Sequence, residues 1–165
     1  MPQADIDRTA PLTTRHEIEI QASADTVWRI LTDIDLWSQW HPDIGMAKLK
    51  GELEEGAKFH WKSGGFSIKS TIEEMVPGRR IVWIGKAWGT RAIHAWTLEP
   101  SADSVQLVTE ESLRGWMPRL FKGAMLDSLN KGLESWLRNL KFKVEYVEQP
   151  SKADCEVTPA SEPGN

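Results

Sequence analysis

The 165-residue sequence has one cysteine, one tyrosine and no motif for covalent cross-linking or metal chemistry. Cys155 cannot form an internal disulfide alone, and no CxxC or Cys/His spacing suited to zinc occurs. It sits in a tail with no basic or His neighbour to activate it, so it reads as a bystander thiol. A nucleophile elbow, a P-loop, a dinucleotide fingerprint and an HExxH motif are all missing, so no metal and no cofactor is expected. Gly64-Gly65 is a hairpin turn rather than a phosphate cradle. No apolar run approaches the roughly 20 residues that cross a bilayer, so stable membrane insertion is not expected. The opening MPQADIDRTAPL lacks the basic and apolar regions of a secretory signal, which makes the cytoplasm the expected location. Twenty Lys and Arg face 24 Asp and Glu, a net charge of −4 that removes the electrostatic motive for nucleic-acid binding. Lys48 with Lys50, and Lys141 with Lys143, have Glu nearby and read as solvated faces.

What the sequence does have is tryptophan, nine in all. Indole covers much area with few rotors and carries one N–H that wants a partner. Some of the nine must pack a core; the others are available to line a site. With 40% hydrophobic and 27% charged residues, the composition fits one globular domain.

Periodicity orders the elements. Residues 1–12 read as a loose leader. TRHEIEI alternates, with His16, Ile18 and Ile20 on one side, as in a half-buried strand. Ser23 is placed to cap a helix from Ala24 to Thr32, and a second short helix covers Leu36 to Trp40 before Pro42 ends it. Six alternating segments follow, with turns at Gly64-Gly65, Pro77-Gly78, Gly89 and residues 100–103, which predicts an antiparallel meander. From Met117 to Val144 apolar residues recur at helical spacing, predicting one helix roughly 40 Å long. Only that helix is large enough to cover the apolar face of a seven-stranded sheet. Residues 147–165 carry too little hydrophobicity to order themselves. Residues 13–146 are therefore expected to form a single α+β domain.

IEIQASADTVWRILTDIDLWSQWHPDI, EEGAKFHW, RRIVWIG, AIHAWTLEP, TEESLRG and the terminal LRNLKFKVE carry a resemblance. Together they resemble the START/birch-pollen-allergen superfamily (SRPBCC), in its bacterial branch labelled polyketide cyclase/dehydrase and lipid transport. The Ser-x-x-x-Val-Trp helix followed by Trp-x-x-Trp is the most specific part. The resemblance implies a helix-grip fold: a curved seven-stranded antiparallel sheet wraps the C-terminal helix around a deep apolar cavity, with two short helices between strands 1 and 2. Members of the superfamily bind lipids, polyketides or other hydrophobic molecules, some catalyse cyclisation or dehydration, and others act on proteins.

Several residues then become candidates. Trp37 and Trp40 are expected near the cavity mouth, where they either form its rim or plug the end of the fold. His41 is expected in solvent. Trp61 shares a face with Phe59 and points inward, to pack or to line a hollow; the direction of Trp83 is open. His94 and Trp96 share one face of their strand, and His94 can be structural, a ligand contact or an acid/base group. Alternation favours Glu111 over Glu110 as the inward carboxyl. If Glu111 meets His94, the two form an acid/base couple. Small residues on the helix (Gly123, Ala124, Ser128 and Gly132) leave room, and Phe121, Met125 and Leu129 would form a helical wall.

The expected ligand-binding set is thus Trp40, Trp61, Ser70, His94, Trp96, Glu111, Phe121, Met125 and Leu129. Three functions compete. Binding of a hydrophobic small molecule leads, ahead of a cyclase or dehydratase using His94 and Glu111. The third is a protein-binding module, which an exposed apolar patch would mark. The sequence does not set the oligomeric state.

Overall fold

The structure, a computed structural model, describes residues 5–148. In chain order it contains β1 (Leu12–Ile20), α1 (Ala24–Thr32), a 3₁₀ turn (Ile34–Leu36), α2 (Trp37–Trp40), β2 (Ile44–Lys50), β3 (Lys58–Ser63) and β4 (Phe66–Val76). There follow β5 (Arg80–Ala87), β6 (Thr90–Pro100), β7 (Val105–Gly115), α3 (Trp116–Leu120) and α4 (Lys122–Phe142), closed by a π-helical turn, Lys143–Glu148. The seven strands form one antiparallel sheet in the order β1-β7-β6-β5-β4-β3-β2, and α4 packs across it. This is the helix-grip α+β architecture.

Local chemistry explains the boundaries. Ser23 Oγ accepts the Thr26 N–H at 3.2 Å, capping α1, whose Val27, Ile30 and Leu31 are buried. A bulge in β4 between Ile72 and Glu74 changes which residues face the core. Met75 packs inward, while Glu74 meets Arg80, its Oε1 lying 3.3 Å from Nε. At the end of β7, Gly115 has φ +136°, and a Cβ there would lie 2.0 Å from the Gly89 carbonyl oxygen. Glycine is required where β7 passes that close to the β5–β6 turn.

Register places the β3–β4 turn, the β5–β6 turn and the end of β7 along one edge of the sheet. Ser63 pairs with Phe66, Ala87 with Thr90, and Thr90 with Gly115. The main core occupies the space away from this edge. Its hub is Trp37, whose ring centroid lies 4.9 Å from Trp136, 5.6 Å from Phe59, 5.7 Å from Trp83 and 5.8 Å from Trp61. Its Nε1 donates to the Leu31 carbonyl at 2.9 Å.

Three expectations are corrected. The C-terminal helix is not one piece: Phe121, at φ −116° and ψ 37°, separates α3 from α4. The reason is a double attachment. Trp116 stacks edge-on against Trp88 at 4.7 Å, holding α3 to the β5–β6 turn, whereas α4 must turn to cross the sheet. The leader is not loose throughout. Ile6 is buried against Val82, Ala95 and Ile93 on the outer sheet face, and Asp7 pairs with Arg114, which holds its carboxyl well below the usual range. His41 is buried rather than solvated, because its ring lies 4.6 Å from Trp136 and its Nδ1 accepts the Asp43 N–H at 3.2 Å. Of the two alternatives open for Trp37, rim or plug, its full burial matches the plug. Cys155 and residues 149–165 lie outside the described residues.

Candidate functional site

The sheet and helix do not fill the space they enclose. A cavity of about 460 Å³ opens between the hairpin edge of the sheet and the first half of α4. Trp61, Trp83, His94 and Glu111 face it from the sheet; Met125, Leu129, Gly132 and Trp136 face it from the helix. Phe66, Trp88 and Met117 stand at its mouth. The void follows from side-chain size. A Cβ added at Gly132 would meet nothing within 4 Å, so the helix passes the middle of the hollow without reaching across it. Leu133 and Trp136 close the hollow at that point, and beyond it Leu137 and Leu140 are buried in the core.

The lining carries several polar groups, among them Asp43, Thr90, Ser128 and Lys131, and its buried titratable pair is His94 with Glu111. β6 and β7 set His94 directly opposite Glu111, with His94 Nδ1 3.9 Å from Glu111 Oε2. The other imidazole nitrogen, Nε2, lies 2.8 Å from the hydroxyl of the buried Thr109. Trp83 and Trp96 flank the imidazole at 4.8 and 5.1 Å. Burial dominates both groups. It pushes the Glu111 carboxyl up from its ordinary 4.5 to about 8, and the His94 imidazole down from 6.5 to about 3. At neutral pH the pair is therefore a carboxylic acid beside a neutral imidazole, and the 3.9 Å separation is not an ion pair but two groups open to a third.

The two shifts act on stability in opposite directions. Glu111 ionises in the unfolded chain before it does in the folded one, so its contribution is whole below pH 4.5 and is lost as pH rises through 8. His94 protonates in the unfolded chain first, so its contribution is whole above pH 6.5 and is lost as pH falls toward 3. Replacing Glu111 by Gln removes the first loss. E111Q is expected to be more stable than the natural protein by on the order of 1–3 kcal/mol at neutral pH, with no gain at pH 4. Urea unfolding across that pH range measures it, and an equal gain at both ends would show that burial of the acid is not the cause.

The other sequence-predicted residues divide. Trp61, His94, Glu111, Met125 and Leu129 line the cavity, joined by Trp83. Ser70 stands behind the wall, its hydroxyl accepting the Trp61 Nε1–H at 3.1 Å, so it holds Trp61 in place. Trp96 is fully buried behind His94 and Trp83. Trp40 is half-buried against the far side of Trp136, at 5.5 Å, and does not line the cavity. Phe121 is exposed at the α3–α4 break and does not line it either, because that break turns it away from the sheet. Glu110 points outward to Arg8, at 2.8 Å. His16 bonds Asn130 of α4 through Nε2 at 2.9 Å, and His60 bonds Ser67 at 2.6 Å. Sequence reasoning missed Phe66 and Trp88. Their signal was position, since both are large aromatics beside the turn glycines Gly65 and Gly89, at strand ends rather than strand middles.

Among the described residues no group of three or more His, Cys, Asp or Glu could hold a metal ion. No described helix is long and apolar enough to cross a membrane.

A family model described as polyketide cyclase/dehydrase and lipid transport matches residues 11–145. A comparison with curated proteins finds no match. Solved structures with the same fold include a hypothetical protein from Helicobacter pylori, 21% identical, with 84% of this chain and 91% of that one covered at a TM-score of 0.75. An aromatase/cyclase from Streptomyces sp. R1128 is 16% identical, with 84% and 96% covered and a TM-score of 0.72. A START superfamily protein from Mycobacterium smegmatis is 17% identical, with 81% and 97% covered and a TM-score of 0.68.

Proposed function

The chain belongs to the polyketide cyclase/dehydrase and lipid transport family, and from that premise we propose that it binds a hydrophobic small molecule bearing one polar group. The observation that carries this is an apolar cavity whose wall holds an uncharged acid/base pair. Its volume of about 460 Å³ lies within the roughly 300–1,000 Å³ usual for small-molecule sites. A lipid, a polyketide or an aromatic metabolite has the right character. Apolar burial against Trp61, Trp83, Met125 and Leu129 supplies affinity. The Glu111 carboxylic acid donates to a carbonyl or hydroxyl of the ligand, while an imidazole nitrogen can accept, which fixes orientation. Native mass spectrometry of the purified protein, with displacement of a bound anilinonaphthalene sulfonate dye, tests this. A retained or added apolar ligand is expected; a protein that carries nothing and binds no dye overturns the proposal.

The meeting of His94 and Glu111 favours a second reading, a cyclase or dehydratase. In a dehydration, the imidazole would take a proton beside the substrate carbonyl and the carboxylic acid would protonate the departing hydroxyl. The similarity to an aromatase/cyclase supports it. Against it stands the imidazole, pushed to about 3 and so a weak base at neutral pH. NMR titration of His94 separates the two readings. A ring that titrates between about pH 5 and 8 with ligand bound supports chemistry, and one that stays neutral supports binding alone.

A further inference from the structure

Two features of the outer surface are not explained by the cavity. First, the cross-strand register sets cations in a row. On the outward face Lys69 of β4 lies opposite Lys86 of β5, Lys86 opposite Arg91 of β6, and Arg91 opposite Arg114 of β7. On the other side Lys69 lies opposite His60 of β3. Like charges directly opposite one another disfavour a sheet. Arg114 is offset by Asp7, but among the described residues no carboxylate pairs with Lys69, Lys86 or Arg91. Lys58, His60, Lys69, Lys86 and Arg91 border a groove of about 420 Å³ on this face, with Glu73 as its one carboxylate. The sequence around the row has the same bias. Segments 57–72, 81–98 and 112–126 contain eight Lys or Arg and no Asp or Glu, so the rest of the chain holds all 24 acids.

Second, large apolar side chains project from the same edge. Trp88 is 73% exposed, Leu120 70%, Phe121 53% and Phe66 51%, with Trp116 beside Trp88. Phe66 and Trp88 stand where the cavity opens. The row lies one to three residues behind the turns, within about 10 Å of the tips at about 3.3 Å per residue. Aromatic tips with cations a few ångströms behind them match the layering of a lipid surface. Indole and phenyl groups enter the boundary between headgroups and chains, and Lys and Arg meet the phosphates.

We propose that this edge docks the protein on the surface of an anionic lipid bilayer, with the cavity mouth facing the lipid. The occupant is a bilayer because the anion-seeking row and the apolar tips share one edge; a polyanion alone leaves Trp88, Phe66 and Leu120 in water. The inference stands apart from the ligand reading, since docking is measured whether or not the cavity is occupied.

The test is co-sedimentation of the full chain with vesicles of phosphatidylcholine alone and of equal parts phosphatidylcholine and phosphatidylglycerol. The protein is expected to pellet with the anionic vesicles only, and to be released by high salt. The triple variant K69E/K86E/R91E, whose side chains lie outside the cavity, is expected to lose at least tenfold in vesicle affinity while keeping its dye binding and thermal melt. Trp88→Ser is expected to weaken attachment without abolishing the preference for anionic vesicles. No pelleting with either vesicle overturns the proposal, as does pelleting that ignores lipid charge and the triple variant. Retention on heparin without pelleting overturns it too, reducing the row to a general polyanion-binding patch. A dimer in sedimentation velocity that the triple variant dissolves, again without pelleting, overturns it by assigning the edge to a second copy of the chain.

Discussion

Trp37→Ala is expected to destabilise the protein by about 3–5 kcal/mol. Trp37 comes from a helix of four residues, yet it is fully buried and its ring meets those of Phe59, Trp61, Trp83 and Trp136. Truncation removes the apolar contact and the bond from Nε1 to the Leu31 carbonyl, and leaves a hole that indoles fixed by their own neighbours cannot close. Single domains hold about 5–15 kcal/mol in all, so the variant should stand close to the unfolding threshold. Trp88→Ala is the control. That indole is 73% exposed, and its removal should change stability by within about 0.5 kcal/mol. Urea denaturation of both variants is the measurement. A Trp37→Ala cost below about 1 kcal/mol would show that the indole cluster is not the fold's anchor.

Gly132→Leu should move stability and binding in opposite directions. Gly132 sits inside α4, where glycine costs up to about 1 kcal/mol against a good helix former. Its missing Cβ faces open space, so the first atom of a leucine meets no neighbour and the cavity beside it offers room for the rest. The new side chain then occupies the hollow between Met125, Leu129 and Glu111. The variant is expected to melt at the same temperature or higher and to lose at least tenfold in affinity for the anilinonaphthalene sulfonate dye. Gly132→Ala should gain the helical preference and keep most of the binding. Unchanged dye affinity in Gly132→Leu would place the ligand elsewhere.

Much of this was legible from alternation alone. The inward sets Phe59 with Trp61, His94 with Trp96, and Leu107 with Thr109 and Glu111 follow from period two, because each strand has one face on the core. Alternation gives a face but no register. That His94 stands opposite Glu111, and not one pair along, depends on where the β6–β7 connection begins and ends. His41 was misread because Pro42 reports backbone conformation and says nothing of whether the preceding ring is covered. Ser70 and Trp96 read as cavity residues because an inward face does not distinguish lining from a second layer, and Trp40 because its short helix is expected at the mouth. A wall several indoles thick has a second layer, and these three belong to it. The break at Phe121 was illegible for a different reason. The apolar period runs through it, and only the docking of Trp116 on a distant turn makes the chain bend.

The division of α4 into a half that faces a hollow and a half sealed by indoles has an evolutionary consequence. Met125, Ser128 and Leu129 line the chamber and lie outside the buried core, so under the binding proposal exchanging them is expected to alter ligand preference while the anchoring half keeps the architecture intact. On that proposal, a lineage can thus change what the chamber accepts one residue at a time, without first acquiring mutations that shore up the scaffold.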